Sequence, residues 1–277
     1  LPPSLAETGA FSDLAGMTPN PGIIPYSLVV PFWSDGALKQ RWFSIPDVNQ
    51  TIGFSVNEPW RFPDGATWIK HFEIEMVKGD PASRRRLETR FIIKNPDGVF
   101  GMTYRWNREQ TNAKLVAEEG LDETLEIMEN GTIRNQVWHY PSRSECLSCH
   151  SKIAGGSLGF RTAQLNREYD YGGVSANQLS ALAGAGYFSD TMPEPTNLPK
   201  LVSPNDLSHS LSKRVRSYLA VNCAHCHVPG GSAVGFWDAQ WSTPVFEKGL
   251  INGSLFNSGF DSDRRVVVPN DLENSEL

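Results

Sequence analysis

All four cysteines of the chain fall into two five-residue words, Cys146-Leu-Ser-Cys149-His150 and Cys223-Ala-His-Cys226-His227. In each word two thiols stand three positions apart and a histidine follows at once. Thiols at that spacing can add to the two vinyl groups on one edge of a porphyrin. The histidine is then carried beneath the ring with an imidazole nitrogen facing the iron. The words therefore predict two covalently attached haem c groups. Cys146, Cys149, Cys223 and Cys226 would be the attachment points, and His150 and His227 the proximal iron ligands. Such groups supply one-electron chemistry.

Rival readings of the same residues are weaker. Four cysteines can ligate one zinc ion, but zinc ribbons separate their pairs by about 15–20 residues. Cys149 and Cys223 are much further apart, and zinc gives no reason for a histidine after both pairs. A thioredoxin-like pair belongs near a βαβ pattern, and neither word sits in one. No Ser/His/Asp triad, P-loop or dinucleotide fingerprint is present.

The sixth iron ligands are less legible. A methionine sulfur raises the potential and a second histidine lowers it. For the first haem Met192, in Thr191-Met-Pro193, is the leading candidate. His71 is its rival, because its strand directs it away from the Trp68/Phe72/Ile74 face, where a haem docked on the sheet could meet it. His209 comes third. His139 stands close to the first word and is expected to pack or bond locally. No methionine follows His227. The second haem must therefore use Met192, His209 or His71, or a residue beyond Leu277, since residues 267–277 read as a loop leading towards a further helix. His225, inside the second word, is expected to face solvent or a haem edge.

Several elements must position these groups. Residues 1–45, rich in proline and glycine, read as an irregular arm that packs through Trp33 and Trp42. Residues 46–140 read as β-rich. Thr67–Met76 alternates by period two, with Trp68, Phe72, Ile74 and Met76 on one face. Leu87–Lys94 and Val99–Trp106 form a hairpin across Asn95-Pro-Asp-Gly98. Short strands follow at 113–117, 125–128 and 132–138, with Asn130-Gly131 as the turn between the last two. After Tyr140 the pattern turns helical. Ser175-Ala-Asn-Gln178 resembles a capping box, and Gly184 and Gly186 end that helix. Pro193, Pro195, Pro199 and Pro204 mark a linker. Leu211, Val215, Tyr218 and Leu219 form an amphipathic stripe running into Cys223. The expected class is α+β: an N-terminal antiparallel β-sandwich-like domain, then small, mainly α-helical cytochrome c-like haem domains at 141–205 and 206–277. The first word follows a strand and the second a helix, so the two haem environments should differ.

Composition limits the function. The 277 residues carry a net charge of −6, with 39% hydrophobic and 20% charged residues. No basic field exists to hold nucleic acid, and no run of 18 apolar residues could span a bilayer. The chain begins at Leu1 without a signal-peptide pattern and is read as a mature or trimmed form. Thioether attachment implies export, hence a periplasmic or extracellular location. Among minor features, Arg84-Arg-Arg86 reads as a solvated run that could pair with haem propionates. Asn257, Asp261 and Asp263 read as a polar turn rather than a calcium loop. Pro229-Gly-Gly231 reads as a turn that lets the backbone approach a porphyrin. Some of the eight tryptophans are expected to line haem pockets.

Taken together, Phe32-Trp-Ser-Asp-Gly36, Lys70-His-Phe72, Leu87-Glu-Thr-Arg90, Tyr104-Arg-Trp106, Pro141-Ser-Arg143, Gln164-Leu-Asn166, Asn222-Cys-Ala-His-Cys-His227 and Pro229-Gly-Gly231 make the chain resemble a family of bacterial di-haem c-type cytochromes. The resemblance implies a secreted or periplasmic electron carrier with a β-rich N-terminal part. It also implies a Met-Pro loop beyond the Pro269-Asn-Asp-Leu-Glu-Asn-Ser275 segment. The function expected is electron transfer between redox proteins, a dehydrogenase or quinol-linked donor and an acceptor such as another cytochrome. A di-haem peroxidase-like enzyme and a haem relay tethered to a β-rich docking or carbohydrate-binding module are the alternatives.

Overall fold

The computed structural model describes residues 1–257 and 263–277. The arm contributes β1 (Phe11–Asp13), β2 (Thr18–Pro19) and β3 (Ile24–Pro25). Then come β4 (Leu38–Ser44), β5 (Thr67–Glu75), β6 (Arg84–Asn95), β7 (Gly98–Trp106), β8 (Ala113–Leu115), β9 (Leu121–Glu129) and β10 (Thr132–Tyr140). The rest holds α1 (Arg143–Cys149), α2 (Thr162–Leu165), β11 (Glu168–Asp170), β12 (Ser175–Asn177), α3 (Gln178–Gly184) and α4 (Leu211–Asn222). Strands β3 to β8 form one six-stranded antiparallel sheet in chain order.

The turns explain the meander. In β6–β7 the Asn95 side chain accepts from the amides of Asp97 and Gly98 (3.1 and 2.8 Å), closing the expected hairpin. In β9–β10 Asn130 and Gly131 both have positive φ (53° and 78°), the twist a two-residue hairpin needs.

Register assigns the faces. Trp42, Ile69, Phe91 and Met102 lie side by side and pack with Leu5, Phe11 and Met17 of the arm. On the other face Phe43, Trp68, Ile92 and Gly101 form the equivalent row, covered by Phe160, Leu165, Leu179 and Cys146. Phe72 and Ile74, further along that face, are covered by Leu125, Ile127 and Trp138 of the β9–β10 hairpin. Both faces are thus buried. Glu88, fully buried, ties hairpin to sheet by accepting from Trp138 Nε1 (3.1 Å) and from Arg90 (2.8 and 2.5 Å).

The α+β expectation is overturned. Regular structure is mainly β, and the described residues contain four short α-helices, the longest Leu211–Asn222, with no helical haem domain after Tyr140. The physical reason is the chain's punctuation. Proline and glycine break the described residues after His150 into turns; Phe160, Leu165, Leu179 and Leu198 pack on the sheet, while Leu219, Ala224, Trp237, Leu250 and Val266 gather in a cluster of their own. Three details also differ. Asn177, not Ser175, caps α3 by accepting from Leu179 N (3.0 Å). The stripe on α4 is largely outward: Leu211 is 65% exposed, while Leu219 is buried. Trp42 is buried against Phe11, but Trp33 is exposed.

Candidate functional site

The first word is built by α1. Ser142 caps the helix in a reciprocal box: its hydroxyl accepts from Glu145 N (3.2 Å), and the Glu145 carboxylate accepts from Ser142 N (2.7 Å). Cys146 and Cys149 then lie one turn apart, on one side of the helix. His150 leaves the helix, and its Nδ1 stands 2.6 Å from the Gly156 carbonyl oxygen, a partner that only an N–H can satisfy. Gly155 and Gly156, both at positive φ (86° and 71°), make the tight turn that brings this carbonyl back. Nε2 is thereby left as the nitrogen with a free lone pair. Burial pushes the imidazole down to about 4, so it is neutral and able to bind a metal.

Gly101 sets the depth of the word. A Cβ at this position on β7 would lie 2.5 Å from Cys146 Sγ and 2.6 Å from Cys146 Cβ. Only a residue without a side chain lets α1 settle this close.

The second word is built differently. It begins at Cys223, the C-cap of α4, and turns tightly, with His227 N donating to Cys223 O (2.8 Å). Gly231 is packed onto the Cys226 carbonyl, where any Cβ would collide. The predicted close approach thus serves the word's own backbone. The His227 ring stacks on Trp237 (centroids 4.1 Å, 25°), and its Nδ1 is buried without a partner.

Both words border one cavity. Cys146, Cys149 and His150 line it, as do Ala224 and His225 of the second word. Its space, open mouth included, is about 1630 Å³. Trp68, Trp241, Tyr26 and Phe32 give it aromatic walls. Burial raises the thiols of Cys146 and Cys149, and nearby Cys226 raises Cys149 further. Thiols held protonated are unlike the acidified pair of a thiol–disulfide enzyme. Among the described residues no group of three or more Cys, His, Asp or Glu side chains is arranged around a single point, so the thiols stay two separate pairs. A smaller space of about 560 Å³, open mouth included, lies against His227 and is walled by Val234, Trp237, Leu255, Phe256 and Val266.

The donor set at the first word fits a haem. Two thiols share a helix face, a neutral imidazole has its far nitrogen tied to a carbonyl, and a wide aromatic cavity opens in front.

The proposed sixth ligands lie elsewhere. His71 is wholly buried on the opposite face of the sheet. Its Nδ1 meets Thr89 Oγ1 (2.8 Å) and its Nε2 meets Glu73 (3.3 Å), which leaves no nitrogen for iron. Met192 packs against the Phe43/Trp60/Phe160 cluster and does not line the cavity. His209 is exposed beside Asp206 (3.8 Å). His139 bonds locally, to Asp122 (2.6 Å) and Glu145 (2.9 Å). Arg84, Arg85 and Arg86 pair with Glu75, Glu123 and Glu73 on the sheet, not with the cavity. Asp261 lies outside the described residues.

His225, expected at solvent or a haem edge, has its ring 5.4 Å from that of Phe32 at the cavity. Sequence reasoning missed a row of cations. Arg41 on β4, Lys70 on β5 and Arg90 on β6 are direct cross-strand neighbours on the cavity face, and all three line the cavity. The available signal was Lys70 itself, a charge interrupting the apolar face between Trp68 and Phe72. Among the described residues no helix is long and apolar enough to cross a membrane. No family model, curated protein or solved structure matches the chain.

Proposed function

We propose that the chain is a di-haem c-type cytochrome that passes electrons between exported redox proteins. The observation that carries this reading is a cavity lined by Cys146, Cys149 and His150, with His150 oriented by the Gly156 carbonyl; the second word reaches its wall through Ala224 and His225, not through Cys223, Cys226 or His227. The resemblance to bacterial di-haem cytochromes supports it. When bound, haem iron would supply reversible one-electron exchange. The chain's own residues have separate tasks. Cys146 and Cys149 would fix one haem and Cys223 and Cys226 the other. The Gly156 carbonyl holds the proton of His150 on Nδ1 and keeps Nε2 for iron. Trp68 and Trp241 exclude water. His225 is the other imidazole lining this cavity among the described residues and would be the second histidine to hold a haem there, in place of Met192 and His71.

The test is expression with a c-type haem maturation system. Two haems per chain should survive acid–acetone extraction, and Cys149→Ser and Cys226→Ser should each lose one. Colourless protein, or pigment that extracts, ends the proposal. Low-temperature EPR should report a bis-histidine centre that changes in His225→Met.

One observation favours a peroxidase-like activity as the second reading. The described lining of the space at His227 holds one imidazole and no thioether, and a haem held there by His227 would supply peroxide chemistry. Turnover of hydrogen peroxide with a reduced donor separates an enzyme from a carrier.

A further inference from the structure

The cation row is short of counter-charge: Glu88 acts on Arg90 and Lys70, and Asp35 on Lys39, against four cations. Arg41, Lys70 and Arg90 stand opposite one another on three adjacent strands, and Lys39 lies on the same face of β4. Like charges directly opposite on a sheet repel and destabilise it. Glu88 engages Arg90, leaving the other three cations without a carboxylate in contact. Lys39 donates to the Phe32 carbonyl (2.5 Å), and Lys70 Nζ lies over the Phe32 and Phe72 rings (5.1 Å each). The Nη2 nitrogen of Arg41 is buried with no partner. Glu145 also lines the cavity, but its carboxylate is committed to Ser142 and His139. Burial, then Arg41, Lys39 and Arg90, holds Lys70 well below the usual lysine range. These cations are half-buried, and an anion among them would offset their mutual repulsion.

We propose that Arg41, Lys70 and Arg90 form a carboxylate-binding site inside the cavity, for a ligand bearing two carboxylates. The shared chemistry has two sources: the propionates of a haem held in the cavity, or a free dicarboxylic acid. The haem source is expected, because Cys146, Cys149 and His150 border the same space. That preference rests on the function proposed above; the carboxylate chemistry does not.

The experiment uses the full-length protein in carboxylate-free buffer, as wild type, Arg41→Gln, Lys70→Met and Lys70→Arg. Haem is labelled with ¹³C at the propionates, redox-difference infrared spectra are recorded, and succinate is titrated calorimetrically. The expected result is a propionate band displaced in Arg41→Gln and Lys70→Met but kept in Lys70→Arg. One of the two midpoint potentials falls with the lost positive charge, and the wild type does not bind succinate. Succinate binding by the wild type, weakened about tenfold or more in Lys70→Met, assigns the site to a free acid. If neither the propionate band nor succinate affinity responds to any variant, the proposal is overturned. Colourless wild type refutes the cytochrome reading alone; the succinate titration then decides the row, with no binding overturning it. Lys70→Arg, which keeps the charge, separates lost charge from lost fold.

Discussion

Gly101 has no chemistry of its own, yet it governs how deeply Cys146 sits. The extra methyl of Gly101→Ala would meet Cys146 Sγ at 2.5 Å. Strand β7 is paired on both sides, so α1 must yield. Overpacking of this kind costs about 1–3 kcal/mol. The expected outcome is a lower urea midpoint and loss of haem at the first word, with the second retained. Haem-to-protein ratio and a urea titration check it, and unchanged values for both would refute the role. Nothing in the sequence around Gly101 announces this, because the demand comes from a helix far along the chain. The proposed attachment cysteines and proximal histidines stand out in the sequence because the binding of one ligand would dictate their spacing. His71 was misread for a different reason. Alternation tells which residues share a face with it, but not that Thr89 of β6 and Trp106 of β7 close around its ring.

At the scale of elements, turn chemistry carried the reading. Asn95–Gly98 and Asn130-Gly131 located two hairpins because few residues adopt their backbone angles. Helix α4 was located by its stripe, but the burial inferred from that stripe failed, since Leu211 and Val215 face outward. Helix α1 escaped the helical pattern because it has two turns and owes its start to Ser142 and Glu145. This start is sensitive to pH. His139, the capping amide of Ser142 and its hydroxyl pull the Glu145 carboxyl from 4.5 down to about 2. Glu145, then Asp122, raises His139 above its ordinary 6.5. A lowered carboxylate contributes fully above 4.5 and loses that contribution as pH falls towards 2. A raised histidine contributes fully below 6.5 and loses it as pH climbs through the raised value. The clamp is therefore complete from about 4.5 to 6.5. Both side chains are half exposed and screened, so the pair contributes about 0.5–1 kcal/mol. Urea unfolding should show wild type exceeding His139→Asn by that margin at pH near 5.5, with the gap closing as pH rises through the raised histidine value. A gap that stays constant across this range would remove the clamp.

For the whole molecule, the arm is the part that joins the rest together. Ser27 exchanges hydrogen bonds with the Gln178 amide (2.8 and 2.9 Å), and Leu28 O accepts from Arg167 (2.6 Å). Val30 N donates to Gln164 Oε1 (3.0 Å) and Val30 O accepts from Gln164 Nε2 (2.6 Å). Trp33 N donates to Asn222 Oδ1 (2.7 Å), one residue before Cys223. Side-chain amides thus read an extended strip of backbone that no strand pairs, and one apolar cluster joins Tyr26, Phe43, Trp68, Cys146 and Leu182. The segments before position 45 and after 140 share this core. That is why a reading by successive blocks of sequence could recover strands but not the architecture. Gln164 and Val30 are both buried, so Gln164→Ala strands an amide and a carbonyl that water cannot reach. Each unpaired group costs about 1–3 kcal/mol. Gln50→Ala, at an exposed position, should change stability by less than about 0.5 kcal/mol. Gln164→Ala should therefore unfold at clearly lower urea and expose residues 26–33 to limited proteolysis, with cleavage there preceding cleavage in β5–β7. If Gln164→Ala matches Gln50→Ala in midpoint and cleavage order, the arm is a passive covering and the cavity is held together by the sheet and α1 alone.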